Sequence, residues 1–525
     1  MRTLRTQVSR RSSLARAFFA LVLGVSVLGG CQDDRIVYRD RAPFNQPADA
    51  TSGFLGYYDV STRQTTCGNC HADIQSSWVG TKHASASAKM EASTTKDSTC
   101  YNCHSLNGNG NAANGTKVGY LAVAHNTYRD VQCESCHGAG LTHVEGVGQA
   151  TLVRPLAKLT ATGTATCRDC HSGAHQPFAE EWSQSGHANV NTSRASNSVC
   201  WGCHDGRKAI ARWGVTDNYV ERDSATAYQA TTCAVCHAPH GSANTAQLRF
   251  PITTPDPDQN LCMQCHMRRF EPEVASSSPH APQGAVLMGF AGYRPPGFVY
   301  DTSAIYGSHA TSLNPRLCAG CHVNRYTVTD KLTGAFTFQS TGHLMRPIPC
   351  LDATGKPTAD KTCAYTTTAR TFKACAQAGC HASEAVAQTL FTTVRARMKF
   401  LADQLWTDNG TAGTLSATPT DGGLLATLKA TKPAEWSTTD NQITPAEGAE
   451  FNARLCGEYG QANSDNSKGV HNPFLCEALL TATITYIRSY YNLPAASKGE
   501  QAALGNTLTE ELRASLHVKR TSPRH

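Results

Sequence analysis

The sequence predicts a mainly α-helical chain with extensive loops, in which an array of short repeated units precedes a C-terminal helical region. Three observations predict it. A five-residue phrase, Cys-x-x-Cys-His, occurs eight times, at Cys67–His71, Cys100–His104, Cys133–His137, Cys167–His171, Cys200–His204, Cys233–His237, Cys262–His266 and Cys318–His322. Its first six histidines lie 33, 33, 34, 33 and 33 residues apart, and a fixed period means one structural unit repeated. The repeated stretch is rich in Ser, Thr, Asn, Gly and Ala, so it has too little apolar surface for a core of its own. Beyond it, Val386, Leu390, Val394, Met398, Leu401 and Leu405 recur at helical spacing over 383–406, and further helices are expected over 473–492 and 500–518. The Thr- and Gly-rich stretch 407–447 reads as loop.

The N-terminus comes first in order. Arg2, Arg5, Arg10, Arg11 and Arg16 surround or precede the apolar run AFFALVLGVSVL at 17–28, with no acid in the first 30 residues. That is the layout of a secretory signal, and Val27-Leu28-Gly29-Gly30-Cys31 resembles a bacterial lipobox. Residues 1–30 are therefore expected to be removed, with Cys31 lipidated and each buried CH₂ of its acyl chains worth about 0.8 kcal/mol. Gln32 follows rather than Asp, which favours the outer membrane. Residues 31–66, with Pro43, Pro47, Gly53 and Gly56, are expected to form the anchor and linker.

Of 47 basic residues, five lie in this leader, so 42 remain against 40 acidic ones. That near balance offers nothing to nucleic acid. No second apolar run is long enough to span a bilayer.

The array, 67–381, carries the chemistry. Two thiols three residues apart with an imidazole beside the second is the attachment pattern of c-type haem: the thiols become thioethers and the histidine ligates the iron. Paired cysteines also bind zinc, but a zinc knuckle does not require His after every pair. Cys67, Cys70, Cys100, Cys103, Cys133, Cys136, Cys167, Cys170, Cys200, Cys203, Cys233, Cys236, Cys262, Cys265, Cys318 and Cys321 are the expected thioether residues. A ninth site is spelled differently, with four residues between Cys375 and Cys380 and His381 following. The proximal ligands are then His71, His104, His137, His171, His204, His237, His266, His322 and His381, for nine haems c. Eighteen of the 23 cysteines are used. Cys31 has the lipid, and Cys350 with Cys363 and Cys456 with Cys476 are candidate disulfides, although four cysteines allow three pairings.

Twelve of the 21 histidines remain, of which His517 and His525 lie in the tail. His83, His125, His143, His187, His240, His280, His309, His343 and His471 are the expected distal ligands. His175, four residues after His171, is the tenth candidate and is left aside. Which of them serves which iron is open; His143 is expected to serve the iron of His137 or a neighbour.

Local phrases add a resemblance. Trp78 with His83 in SSWVGTKHA and Trp182 with His187 in EEWSQSGHA repeat Trp-x₄-His-Ala; VQCESCHG at 131–138, CHAPHG at 236–241, SPHAPQG at 278–284 and GVHNP at 469–473 are further phrases of the kind. Over about residues 67–495 they resemble outer-membrane multihaem c-type cytochromes of metal-reducing bacteria and, more distantly, the multihaem branch related to hydroxylamine oxidoreductase. The resemblance implies a haem-packed cytochrome array (67–381), a C-terminal helical region (382–525), and an outer-membrane lipoprotein on the periplasmic or extracellular face. It also implies electron relay through nine mostly bis-histidine haems to extracellular acceptors or partner cytochromes. An enzyme reducing or oxidising a small nitrogen or sulfur compound is the alternative, and it needs one iron with an open position. No Cys-x-x-Cys-Lys occurs, and SGAHQP stands after His171 where the hydroxylamine-oxidising relatives carry an Asp-His pair, so an electron-transfer protein is the expected class. A filament-forming subunit shares that chemistry, and self-assembly is left open.

Overall fold

The computed structural model describes residues 44–111, 117–157, 165–215, 228–274, 276, 278–300, 309–406, 422–437, 439–457 and 464–515. The signal at 1–30, Cys31, Gln32, His517 and His525 lie outside them. The described residues from 45 onward form one compact unit. The fold is mostly helical with long loops, and among the described residues the strands make three two-stranded antiparallel hairpins: β1 (Tyr57–Asp59) with β2 (Gln64–Thr65), β3 (Tyr326–Thr329) with β4 (Phe336–Ser340), and β5 (Cys350–Leu351) with β6 (Pro357–Thr358).

Through the array the helices are short, many of them a single turn built on the repeated phrase itself: Tyr101–His104, Cys133–His137, Trp201–His204, Cys233–Cys236, Met263–His266 and Cys318–His322. Apolar packing between them is sparse. Phe54, Leu106, Val118 and Tyr128 form one small cluster, and Tyr57, Trp78 and Ala84 another. Residues 54–65, read from the sequence as the end of a linker, are packed here: Phe54 and Tyr57 are buried, and Tyr57 donates to Asp130 at 3.0 Å.

The large core lies further on. Helices α1 (Glu384–Leu405), α2 (Leu424–Thr431), α3 (Pro445–Cys456), α4 (Pro473–Tyr490), α5 (Lys498–Gly505) and α6 (Leu508–Ser515) make up the C-terminal region. Ser383 caps α1 through the Val386 N–H, and Thr444 and Glu447 form a reciprocal capping box on α3, each satisfying N–H groups that the first turn leaves free. Met398, Leu401, Leu405, Phe451, Leu479 and Ile484 are fully or almost fully buried in one cluster.

The expected helix over 383–406 is α1. The helix expected over 500–518 is interrupted at Asn506, which separates α5 from α6. Two helices had no clear sequence signal: α2 falls inside the stretch read as loop, and α3 begins inside it.

The array and the C-terminal region share this core. Ala285, Val286 and Ala291 pack into it. The Asn452 side chain accepts from the Tyr293 N–H at 2.7 Å and donates to its carbonyl at 2.8 Å. Gly292 has φ +102°, and a Cβ there would fall 2.3 Å from Leu479 Cδ1. Only glycine lets the two chains approach that closely.

Candidate haem sites

The nine motifs, numbered 1–9 in chain order, share a local device. In sites 1, 4, 5, 6 and 7 the histidine N–H returns to the carbonyl of the first cysteine, at 2.9–3.2 Å. Site 9 does the same despite its two extra residues: His381 N–H reaches the Cys375 carbonyl at 3.1 Å. The longer loop bulges between the cysteines and returns the imidazole to the same place.

Eight of the motif histidines then face a second histidine from elsewhere in the chain. His71 faces His143 (ring centres 6.5 Å apart), His171 faces His83 (6.1 Å), His137 faces His240 (6.0 Å) and His266 faces His187 (6.1 Å). His204 faces His280 (6.3 Å), His237 faces His343 (6.3 Å), His381 faces His309 (6.3 Å) and His322 faces His471 (6.1 Å). The gap is nearly constant across all eight pairs. An imidazole nitrogen binds a transition metal at about 2.0 Å, and its ring centre lies about 1.1 Å further out, so one metal between two imidazoles sets the centres roughly 6 Å apart. The donor set and the spacing fit a six-coordinate haem iron at each pair.

The surroundings fix which nitrogen faces inward. Nδ1 of His104, His137, His237 and His322 is hydrogen-bonded to the carbonyls of Ala86 (2.8 Å), Pro155 (3.0 Å), Ala246 (2.7 Å) and Met345 (3.0 Å). Nδ1 of His171 meets Gln176 Oε1 at 3.1 Å, and that of His266 meets Gln283 Oε1 at 3.4 Å. Opposite them, His143 uses the Val153 carbonyl (2.8 Å), His309 that of Val470 (2.8 Å) and His471 the Asp465 carboxylate (2.6 Å). Each such bond holds the proton on Nδ1 and leaves the Nε2 lone pair for a metal. Burial pushes His83, His187, His322 and His343 down to about 4, with neighbouring histidines adding to the shift, which keeps these four rings neutral.

The facing rings come from other repeats. His143 follows site 3 yet faces site 1, His240 follows site 6 yet faces site 3, and His83 precedes site 2 yet faces site 4. Supports repeat as well: the Trp78 indole donates to the Val131 carbonyl at 3.2 Å and the Trp182 indole to that of Thr231 at 2.9 Å.

Site 2 differs. Among the described residues no histidine faces His104 across such a gap. His125 is exposed with its Nδ1 2.8 Å from Thr127 Oγ1, and His175 is exposed as well. Sequence reasoning placed no role on Glu134 and Glu181. The fully buried Glu134 accepts from the N–H groups of Leu55, Gly56 and Gly140 at 2.7–3.0 Å. Glu181 accepts from Thr341 and from the His343 N–H at 2.6–3.0 Å, which fixes the loop carrying His343.

Cys350 and Cys363 form a disulfide, with Cα atoms 6.0 Å apart. The buried Cys456 and Cys476 thiols are in hydrogen-bonding contact with each other. No helix among the described residues is long and apolar enough to cross a membrane.

Comparison with known proteins gives partial matches. Residues 66–138 match the cytochrome c554 and c-prime family, and residues 226–270 match the doubled CXXCH motif family. The chain is 29% identical over 167 residues to the C-type polyheme cytochrome OmcB of Geobacter sulfurreducens, covering 27% of this chain and 21% of that protein. It is 25% identical over 168 residues to the multiheme cytochrome MtrA of Shewanella baltica, covering 28% of this chain and 46% of that one. The alignments thus span less than half of either relative, and no solved structure matches. Both family matches fall on repeated attachment motifs, and two polyhaem relatives agree with them: this chain is a multihaem c-type cytochrome.

Proposed function

We propose that the chain relays electrons through nine covalently held haems at the cell envelope, between partner redox proteins and an acceptor outside the cell. The observation that carries this is the set of eight facing histidine pairs at 6.0–6.5 Å. When bound, haem supplies a one-electron couple. The chain's residues then do the rest. Two facing imidazoles would hold the iron in one ligand set in both redox states, so that little of the chain would have to move with a change of charge. Burial, the axial ligands and nearby charge set the potentials, and His ligands borrowed from other repeats lock neighbouring sites together. On this reading the thioether cysteines are the eighteen of sites 1–9, the proximal ligands are the nine motif histidines, and the eight facing histidines are distal ligands. The role of His125 stays with site 2 as a candidate. The lipid expected on Cys31 would tether the protein to the outer membrane, a reading supported by the lipobox-like run Val27-Leu28-Gly29-Gly30-Cys31.

A second reading, a reductase of a small nitrogen or sulfur compound, has one observation in its favour: among the described residues, His104 faces no second imidazole. Intact mass and a pyridine haemochrome assay should give nine haems, and eight would remove Cys375 and Cys380 from the set. Redox titration should show overlapping components over a broad, mostly negative window, with reoxidation by soluble ferric chelates. Sustained turnover of nitrite, hydroxylamine or a sulfur oxyanion would replace the relay by the reductase.

A further inference from the structure

The attachment cysteines are mostly shielded. Of the eighteen, only Cys70 of site 1 and Cys380 of site 9 are exposed. Site 9 is also the one with the longer loop, in which Ala376, Gln377, Ala378 and Gly379 stand between the cysteines where every other site has two residues. Gly379, at φ +84°, has open space where a Cβ would be. Gln377 anchors the bulge: its side-chain amide donates to the Gly320 carbonyl in the loop of site 8 at 2.7 Å and to the Ala374 carbonyl at 2.9 Å.

Beside this bulge a cavity of about 560 Å³ opens to solvent, within the size range of small-molecule sites. Ala376, Gln377 and Ala378 line it together with Arg325, Tyr326 and Lys373, so three of the four bulge residues contribute to the cavity. The Lys373 ammonium lies 4.8 Å from the centre of the Tyr326 ring. Arg325 and Lys373 are both exposed, and neither has an ion-pair partner among the described residues. The one acid on the lining, Glu384, is already engaged: its carboxylate accepts from the Phe372 N–H at 2.7 Å and from Thr371 Oγ1 at 3.0 Å. Asn324 and Ser383, also on the lining, add uncharged donors. Neither His381 nor His309, the facing pair of site 9, lines the cavity, so it is not the space between those two rings. Thioether cysteines hold a haem by its vinyl edge, and its two carboxylates leave from the opposite edge. Cations beside the attachment loop of site 9 therefore do not answer the charge of that site's own haem.

We propose that this cavity binds a small polycarboxylate at the thioether edge of site 9. Arg325 and Lys373 hold its carboxylates by charge-assisted hydrogen bonds, and Asn324 and Ser383 donate to the remaining oxygens. A multivalent anion seated against the attachment loop favours the ferric over the ferrous state, because nearby charge helps to set the potential. Occupancy thus moves site 9 to a more negative potential. The inference deepens the relay reading and rests on it for its functional meaning: the bound anion tunes the driving force for electron transfer at an exposed site of the array.

Citrate, which is redox-inactive here, is the probe. Isothermal titration calorimetry of the fully oxidised holoprotein, at ionic strength held constant with potassium chloride, should show saturable binding of one citrate per chain. The double variant Arg325→Gln/Lys373→Gln changes two exposed side chains and should keep the native haem absorption spectrum, while its affinity for citrate falls about tenfold or more. In a spectroelectrochemical titration, saturating citrate should move one component to a more negative potential in the native protein and none in the double variant. Absence of saturable binding, equal binding by the variant, or binding that moves no potential would overturn the proposal. Failure of the relay reading is separate: enzymatic turnover of a nitrogen or sulfur compound would leave the citrate titrations as expected and remove only their functional meaning.

Discussion

At the scale of single residues, eight of the nine candidate sites combine one local histidine with one distant one. The local half is written in five consecutive residues, because covalent attachment demands two thiols and an imidazole at fixed spacing. The distant half depends on second contacts. His471 is the clearest case: burial lowers its affinity for a proton, the Asp465 carboxylate outweighs burial, and the net shift is upward. That carboxylate makes His471 a more electron-rich donor toward a metal. Asp465→Asn should shift one component of a spectroelectrochemical titration to a more positive potential, with about 10–100-fold weaker ligation at that site, and leave the circular dichroism unchanged. An unshifted titration would remove Asp465 from the tuning of site 8. The motif histidines stand out in the sequence for the local reason given; the histidines that face them do not. His143 lies six residues after His137 and yet faces His71, because the repeats exchange ligands and sequence spacing carries no record of that exchange.

At the scale of elements, the array lacks apolar surface and is fastened by polar staples instead. Glu134, in the single turn of site 3, holds the segment at Leu55 and Gly56, just before β1, and the loop at Gly140 through three N–H groups. Burial pushes its carboxyl up to about 7, against the pull of those hydrogen bonds. Below the ordinary carboxylate range both folded and unfolded chains carry the proton. Between that range and about pH 7 only the folded chain does, so stability falls as pH rises through this window and levels off above it. Glu134→Gln should abolish that slope in thermal melts. It should also cost about 1–3 kcal/mol above pH 7, since one amide oxygen cannot satisfy three N–H donors. A slope unchanged in the variant would assign the pH dependence elsewhere.

The C-terminal helices were legible where an apolar stripe ran long enough. Residues 383–406 gave α1 from Val394, Met398, Leu401 and Leu405, all buried. Helix α3 escaped because its buried face includes Glu447, Glu450, Asn452 and Arg454. These are satisfied by a capping box, a Glu450–Arg454 ion pair at 2.6 Å and the bonds to Tyr293, so no hydrophobic period marks it.

At the scale of the whole molecule, a polar array of borrowed ligands is joined to an apolar helical core through residues 283–293, and His309 and His471 bring sites 8 and 9 against that core. On the proposed reading, the attachment to the membrane is separate from all of this. Cys31→Ala should move the protein from the membrane fraction to the soluble one, or block its maturation, with an unchanged haem spectrum in whatever matures. Full retention in membranes would remove the lipid anchor.

The central claim is that this chain holds its irons between pairs of histidines. Low-temperature EPR of the fully oxidised, purified holoprotein, quantified against the haem content, tests it most directly. The account predicts that low-spin ferric signals of two-histidine ligation make up all the iron except at most that of site 2, because eight motif histidines face a second imidazole. High-spin signals integrating to two or more irons per chain would contradict it.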